Sequence, residues 1–240
     1  MRTFEFYNPT RIIFGKDVCE NVGEELKKYA STILLVYGRE SAKANGVYQR
    51  VKKVLLKAEL SVYELAGVQA NPRLSLVKKG IEIAKKEQIE MILAVGGGSV
   101  IDTAKAIAAG MYYDGDVWDF FSQKQKITKA APVGVILTIP AAGSESSNGT
   151  VITKEEDYCK CGVSSDWLYP KFAMLDPQLC FTLPDYQICA GGVDIMAHIM
   201  ERYFVPDDYH DFSDRMCESA MVSLIHHLPK VLKNPSDYES

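Results

Sequence analysis

Long apolar runs are missing from this chain. Its least charged stretches, Met91 to Ile101 and Ala131 to Gly143, are interrupted by Gly or Pro. Both fall short of the roughly 20 residues that a membrane span needs, which argues against a transmembrane helix. Basic blocks are missing too. No Lys/Arg run exceeds the pairs Lys27-Lys28, Lys52-Lys53, Lys78-Lys79 and Lys85-Lys86, and 27 basic against 31 acidic side chains give a net charge of -4. Nucleic-acid binding is disfavoured. The first residues, Met1-Arg2-Thr3-Phe4-Glu5, put an acid where a signal peptide carries its apolar region, so the expected location is the cytoplasm. None of the six cysteines (19, 159, 161, 180, 189 and 217) stands at C-x-x-C spacing, and reduced thiols are expected. Cys159 and Cys161 could chelate a soft metal, but without partners at zinc-site spacing they read as two ordinary thiols. Repeats and low-complexity segments are absent.

What is present is an ordinary globular composition. The 240 residues, 47% hydrophobic and 24% charged, suit one large domain or one domain with part of another. Phe4 to Phe14 reads as two short strands around Asn8-Pro9, and helix signals follow from Val18 to Tyr29. Thr32 to Tyr37 and Glu90 to Val95 are continuous apolar runs of strand length, as strands buried on both faces require. Val47 to Ala58 has helical spacing, Ser61 to Leu65 reads as a strand, and Asn71-Pro72 opens a helix running to Lys86. This alternation predicts a doubly wound α/β domain on a parallel sheet, with ligands at the carboxyl ends of the strands. Val133 to Ile139 and Phe172 to Leu175 are further strands, separated by a Gly/Ser-rich loop from Gly143 to Gly149. After Pro184 the chain becomes helical, from Asp185 to Phe204 and from Ser213 to Leu232. The expected domains are therefore 1–183, an α/β cofactor-binding domain, and 184–240, the first helices of an all-α domain. Two helices alone leave apolar faces to be covered, so the chain is expected to be truncated there or completed by another chain.

Three segments could carry chemistry. Leu93-Ala-Val-Gly-Gly-Gly-Ser-Val-Ile-Asp102 runs from a buried strand through three glycines into a helix, where free backbone N–H groups suit a pyrophosphate. Ser99 and Asp102 fit a capping box, with Val100, Ile101, Ala104, Ile107, Ala108 and Met111 as the buried face. The alternative is a turn that serves close packing alone. The second segment follows the strand ending at Tyr37. Where NAD-selective sites carry an acid there stands Gly38, with Arg39 and Lys43 nearby, which favours a 2′-phosphate over an ordinary surface turn only in part, because Glu40 adds an acid. The third is Gly191-Gly-Val-Asp-Ile-Met-Ala-His198. Asp194 and His198 lie one turn apart on one helix face, as an ion pair or as two ligands of a cation. Their apolar neighbours would make an unpaired carboxylate costly to bury, and the glycine pair would permit close approach of a ligand. His210, His226 and His227 read as structural or solvent-facing. No Ser/His/Asp or Cys/His nucleophile set appears.

In this order, Arg11 to Gly15, Tyr37-Gly38, Asn71-Pro72, Ala94 to Lys105 (A-V-G-G-G-S-V-I-D-T-A-K), Leu137 to Glu145, Leu175-Asp-Pro177 and Gly192-Val-Asp194 to His198 resemble the iron-dependent (group III) alcohol dehydrogenases. The likeness points to the NADPH-dependent butanol dehydrogenase and aldehyde reductase branch and to a dehydroquinate synthase-like architecture. It implies Gly97, Gly98, Ser99 and Asp102 at the cofactor diphosphate, and Gly38 and Ser41 by the adenosine ribose. It also implies Thr138 and Lys160 toward the ribose and nicotinamide, with Thr182 and Leu183 completing the cleft. Ala142 stands where the family usually has Thr, removing one hydroxyl contact. Asp194 and His198 match the first two metal ligands, and the family's two further histidines are missing. The resemblance implies NADP(H) rather than NAD(H), Fe2+ or in some relatives Zn2+, a small alcohol or aldehyde substrate and a homodimer. Hydride transfer to a metal-polarised carbonyl would be the reaction. Two other readings stand beside it: a non-catalytic nucleotide-binding fragment, and a zinc-dependent polyol dehydrogenase relative.

Overall fold

In the computed structural model, residues 3, 5–39, 46–206 and 210–239 are described, and they form two compact units. The larger comprises Asn8–Thr138 and Gly143–Asp176. The smaller takes Ile139–Ala142 and the described residues from Pro177 onward, with those ahead of Asn8.

The strands are β1 (Arg11–Phe14), β2 (Thr32–Gly38), β3 (Ser61–Val68), β4 (Met91–Gly96), β5 (Val133–Leu137), β6 (Gly149–Lys154), β7 (Cys159–Ser164) and β8 (Phe172–Leu175). Six of them form one all-parallel sheet in the order β1-β8-β5-β4-β2-β3. Residues 33–37, 91–96 and 133–137 are wholly buried, which is why these segments read as unbroken apolar runs. At one edge, β3 alternates between exposed and covered positions; at the other, Ile12 and Phe14 of β1 are exposed. The larger unit's helices are α1 (Val22–Leu26), α2 (Val47–Lys57), α3 (Leu74–Lys86), α4 (Gly98–Gly110) and α5 (Trp118–Phe121). The expected face of α4, from Val100 to Ala108, is buried, and so are Thr103, Lys105, Ala106 and Ala109. This helix is therefore interior on nearly every side.

Two expected elements need correction, and a third element was not expected. Of the two strands expected in Phe4 to Phe14, a segment whose first residue lies outside the described residues, the described residues form one, Arg11–Phe14, and it lies parallel to β8 rather than folded back on a neighbour. Asn8 explains this: its Oδ1 accepts the Thr10 N–H at 3.2 Å and its Nδ2 donates to Ser146 O at 3.0 Å, so the segment is a side-chain-held turn. Helix α3 starts at Leu74, not at Pro72, because Asn71 adopts a left-handed φ of 56° and the Pro72 carbonyl accepts the Thr153 N–H at 2.8 Å. The antiparallel hairpin β6–β7 was not expected. Its turn contains no Gly or Pro, and Tyr158 supplies the positive φ of 54° instead.

The smaller unit holds α6 (Asp185–Tyr203) and α7 (Asp211–Lys233), the latter running on through Pro229. A Cβ on Gly192 would stand 2.5 Å from Leu228 Cδ2, and one on Gly191 would stand 2.9 Å from Pro140 O. The glycine pair is thus spent on close packing of α6 against α7 and against the 139–142 segment, not on approach to a ligand. Helix α7 has no buried residue, and Phe212, Val222 and Ile225 are exposed along it. Among the described residues, no helix is long and apolar enough to cross a membrane.

Candidate functional site

Counting from β2, the sheet has the order 2-1-3-4-5, so the chain reverses direction between β2 and β4. A crevice outside the carboxyl ends of the strands forms at such a reversal. Those ends are Gly38 on β2 and Gly96 on β4, with Tyr37 paired to Val95 just before them. On the other side of β4, the Thr138 N–H donates to Gly96 O at 3.2 Å, so Thr138 borders the same mouth.

The three glycines after Val95 divide their roles. A Cβ on Gly96 would stand 2.4 Å from Val100 Cγ2, so this position is closed by packing. Around Gly98 a Cβ would meet nothing within 4 Å. Gly97 is the extended N-cap of α4 and makes no side-chain capping bond. The expected capping box is therefore not formed: Ser99 lies inside the first turn, two residues past the N-cap position that Gly97 holds. Gly97, Gly98 and Ser99 remain half-exposed. An uncapped helix start under open space is an anion-binding arrangement.

Asp102 does something other than cap. Its carboxylate accepts the Ser144 hydroxyl at 2.7 Å and the Val151 N–H at 3.1 Å, and its carbonyl accepts the Thr150 hydroxyl at 2.8 Å. Burial pushes its pKa up, against the Ser144 hydrogen bond and the nearby charge of Lys105. One turn on, Lys105 is fully buried and its Nζ donates to Ser144 O at 2.7 Å, Ser147 O at 2.8 Å and Gly149 O at 3.0 Å. Burial pulls this ammonium down to about 8, with Asp102 and Glu145 opposing the shift. Together the two residues lock the 144–151 segment onto α4.

Lys160, on β7, donates to Asn71 Oδ1 at 2.9 Å, and its charge acts on Asp102. Near the end of β2, the Glu64 carboxylate accepts from Tyr37 Oη at 2.8 Å, Tyr48 Oη at 2.9 Å and Lys52 Nζ at 3.0 Å. This pins the residue that precedes Gly38. Arg39 is exposed, while Ser41, Glu40 and Lys43 lie outside the described residues.

In the smaller unit, Thr182 is exposed and Leu183 is half-buried, with the Leu183 N–H donating to Cys180 O at 3.0 Å. His198 Nδ1 lies 2.8 Å from Asp194 O and 3.6 Å from Asp194 Oδ1. With the Nδ1 proton on the carbonyl, Nε2 carries the free lone pair, as in metal-bound histidines. The two side chains are 46% and 38% exposed, so the expected burial cost at Asp194 is not incurred. The pair fits as part of a metal donor set, and among the described residues no group of three or more such donors occurs. His226 Nε2 lies 2.7 Å from Lys230 Nζ, and its ring stacks edge-on with His227.

The iron-containing alcohol dehydrogenase family matches residues 9–177, and the C-terminal region of the same family matches residues 188–240. The chain belongs to the iron-containing alcohol dehydrogenase family. It is 46% identical over 239 residues to a probable NADH-dependent butanol dehydrogenase of Bacillus subtilis, covering 100% of this chain and 62% of that protein. It is 35% identical over 242 residues to an NADPH-dependent aldehyde reductase of Escherichia coli, again covering 100% and 62%. The crystal structure of an NADH-dependent butanol dehydrogenase from Thermotoga maritima superposes with a TM-score of 0.96 at 43% identity, over 100% of this chain and 60% of that one. The chain thus spans about 60% of the length of these relatives.

Within this iron-containing alcohol dehydrogenase fold, sequence reasoning passed over Lys105 and Asn71 as site residues. A lysine in an otherwise apolar helix, fully buried, needs acceptors, and that was the available signal for Lys105. For Asn71 the signal was weaker: an Asn before Pro, tolerant of the left-handed region it occupies.

Proposed function

We propose that this chain carries the dinucleotide-binding part of an NADP(H)-dependent oxidoreductase that interconverts small primary alcohols and aldehydes with a divalent metal, iron in preference to zinc. The observation that carries the reading is the uncapped start of α4 under open space at Gly98, set where the strand order reverses. There Gly97, Gly98 and Ser99 offer N–H groups to the diphosphate, Thr138 flanks the nicotinamide side, and Gly38 leaves room at the adenosine ribose. Asp102 acts as a positioning residue here, since both its oxygens are already engaged by Ser144 and Val151. Lys160 and Asn71 stand as a pair toward the ribose. Asp194 and His198 would hold the metal, and Thr182 and Leu183 would border the cofactor cleft. When bound, the cofactor supplies a hydride and the metal polarises the carbonyl oxygen.

Two further features belong to the proposal. The free edge of β1, with exposed Ile12 and Phe14, supports pairing with a second copy in a homodimer. Free thiols at all six cysteines support a cytoplasmic setting.

The preference for NADP(H) rests on Gly38 with exposed Arg39 beside it. The NADH-dependent names of the more similar relatives favour NAD(H) instead. Fluorescence titration decides between them: NADPH is expected to bind about tenfold or more tighter than NADH, the scale of one charge-assisted contact, and Arg39→Ala should erase the difference. Equal or inverted affinities in the parent chain overturn the NADP(H) assignment. In the same preparation, loaded anaerobically with iron, butyraldehyde-dependent NADPH oxidation that is lost in Asp194→Ala supports the full reaction. Binding without turnover supports the non-catalytic reading.

A further inference from the structure

Cys159 and Cys161 are free, half-buried and only 3.2 Å apart, sulfur to sulfur. They occupy positions i and i+2 of β7 and share the face on which Cys161 and Val163 pack against the core, while Lys160 projects from the opposite face. Among the described residues, strand β7 pairs with β6 alone, in a two-stranded sheet. It can therefore pucker without breaking a second ladder. Same-face neighbours in a strand stand about 6.7 Å apart at the backbone, within the roughly 4.4–6.8 Å that a disulfide spans. Closing the pair draws in one pleat of β7, the one that carries Lys160.

We infer that Cys159 and Cys161 form an oxidisable thiol pair that closes to an intrastrand disulfide on reaction with a hydroperoxide, loosening the cofactor cradle through Lys160. The Cys161 thiolate attacks the outer oxygen of ROOH, breaking the O–O bond to give a sulfenic acid and, after proton uptake, ROH. The Cys159 sulfur then attacks that sulfur and releases water. Two thiols and one hydroperoxide become one disulfide, ROH and H2O, with two electrons passing from sulfur to oxygen. The hydrogen bond between the two sulfurs raises the Cys159 pKa. Lys160 sits between the two, its Nζ held by Asn71 Oδ1 at 2.9 Å and its charge felt by Asp102. A drawn-in pleat displaces that contact. The effect on the cofactor rests on the dinucleotide reading; the disulfide does not.

The test treats the intact chain with stoichiometric hydrogen peroxide, blocks remaining thiols with iodoacetamide and digests with trypsin for non-reducing mass spectrometry. Cleavage after Lys154, Lys160 and Lys171 separates the peptide Glu155–Lys160 from Cys161–Lys171. The disulfide keeps those two peptides joined until a reductant is added, and this joined pair is the expected result. NADPH affinity should fall at least about threefold on oxidation, the scale of one hydrogen bond, recover with dithiothreitol, and stay constant in Cys161→Ser. Separate peptides, whether alkylated or carrying sulfinic acid, overturn the redox pair. A joined pair with unchanged NADPH affinity overturns the route through Lys160. Absence of NADPH binding in the reduced chain overturns the dinucleotide reading, and the joined pair then still supports the redox site.

Discussion

Replacing Lys105 by Met is expected to lower the stability of the larger unit by about 3–5 kcal/mol, the range for removing one partner of a buried charged network. The Nζ of Lys105 is the shared donor to three carbonyls, those of Ser144, Ser147 and Gly149. Methionine fills the volume but leaves those oxygens buried without a donor. The loop they belong to also contains Ser144, which holds Asp102, so dinucleotide affinity should fall along with stability. Chemical denaturation followed by circular dichroism measures the first effect, and a variant as stable as the parent would contradict it. The pH dependence gives an independent check. Burial lowers the folded-state pKa of Lys105 from 10.5 to about 8, so between these values the unfolded chain binds the extra proton. Stability therefore rises with pH across that window. The stability gap between the parent and Lys105→Met should widen by about 2 kcal/mol from about pH 7.5 to about pH 9.5. A constant gap would mean that the amine titrates alike in both states.

The second large effect is expected at Gly98, and it should separate binding from folding. In Gly98→Asp the new side chain meets no protein atom within 4 Å at its Cβ, and it stands in the first turn of α4 where an acid suits the helix dipole. Folding should be unaffected. A carboxylate in the place of the diphosphate repels it, and NADPH affinity should drop by about 100-fold or more. Gly96→Ala should do the opposite. Its methyl would stand 2.4 Å from Val100 Cγ2, in a fully buried strand end, and the overpacking costs about 1–3 kcal/mol. Thermal unfolding and a fluorescence titration of both variants decide the matter. If Gly98→Asp unfolds early, or binds NADPH as the parent does, the open space at Gly98 is not the diphosphate site.

These two glycines also show how far the chain could be read without coordinates. Each is a glycine in one short run, and only the surroundings separate a packing role from an open cradle. The central strands were legible because burial on both faces demands unbroken apolar runs, as in residues 33–37 and 91–95. The long helices α6 and α7 were legible from their period, to within two residues at each end. The hairpin β6–β7 was not, because β6 buries threonines, β7 is polar and only half-buried, and the turn uses Tyr158 in place of glycine. Ser99 and Asp102 satisfied the spacing of a capping box, yet Asp102 found stronger partners across the fold in Ser144 and Val151. Local pattern lost there to tertiary hydrogen bonding. The glycine pair at 191–192 was misread for the same reason. Spacing shows that a backbone approaches something, and only the fold shows that the something is Leu228 and the Pro140 carbonyl.

The cradle at the reversal between β2 and β4 is tested most directly by a two-dimensional 1H–15N spectrum of the 240-residue chain during NADPH titration. The largest shifts are predicted at the amides of Gly97, Gly98 and Ser99, with smaller ones at Gly38 and Thr138. Shifts confined to α6 and α7, or an unchanged spectrum from folded protein at saturating NADPH, would contradict a dinucleotide site at the start of α4.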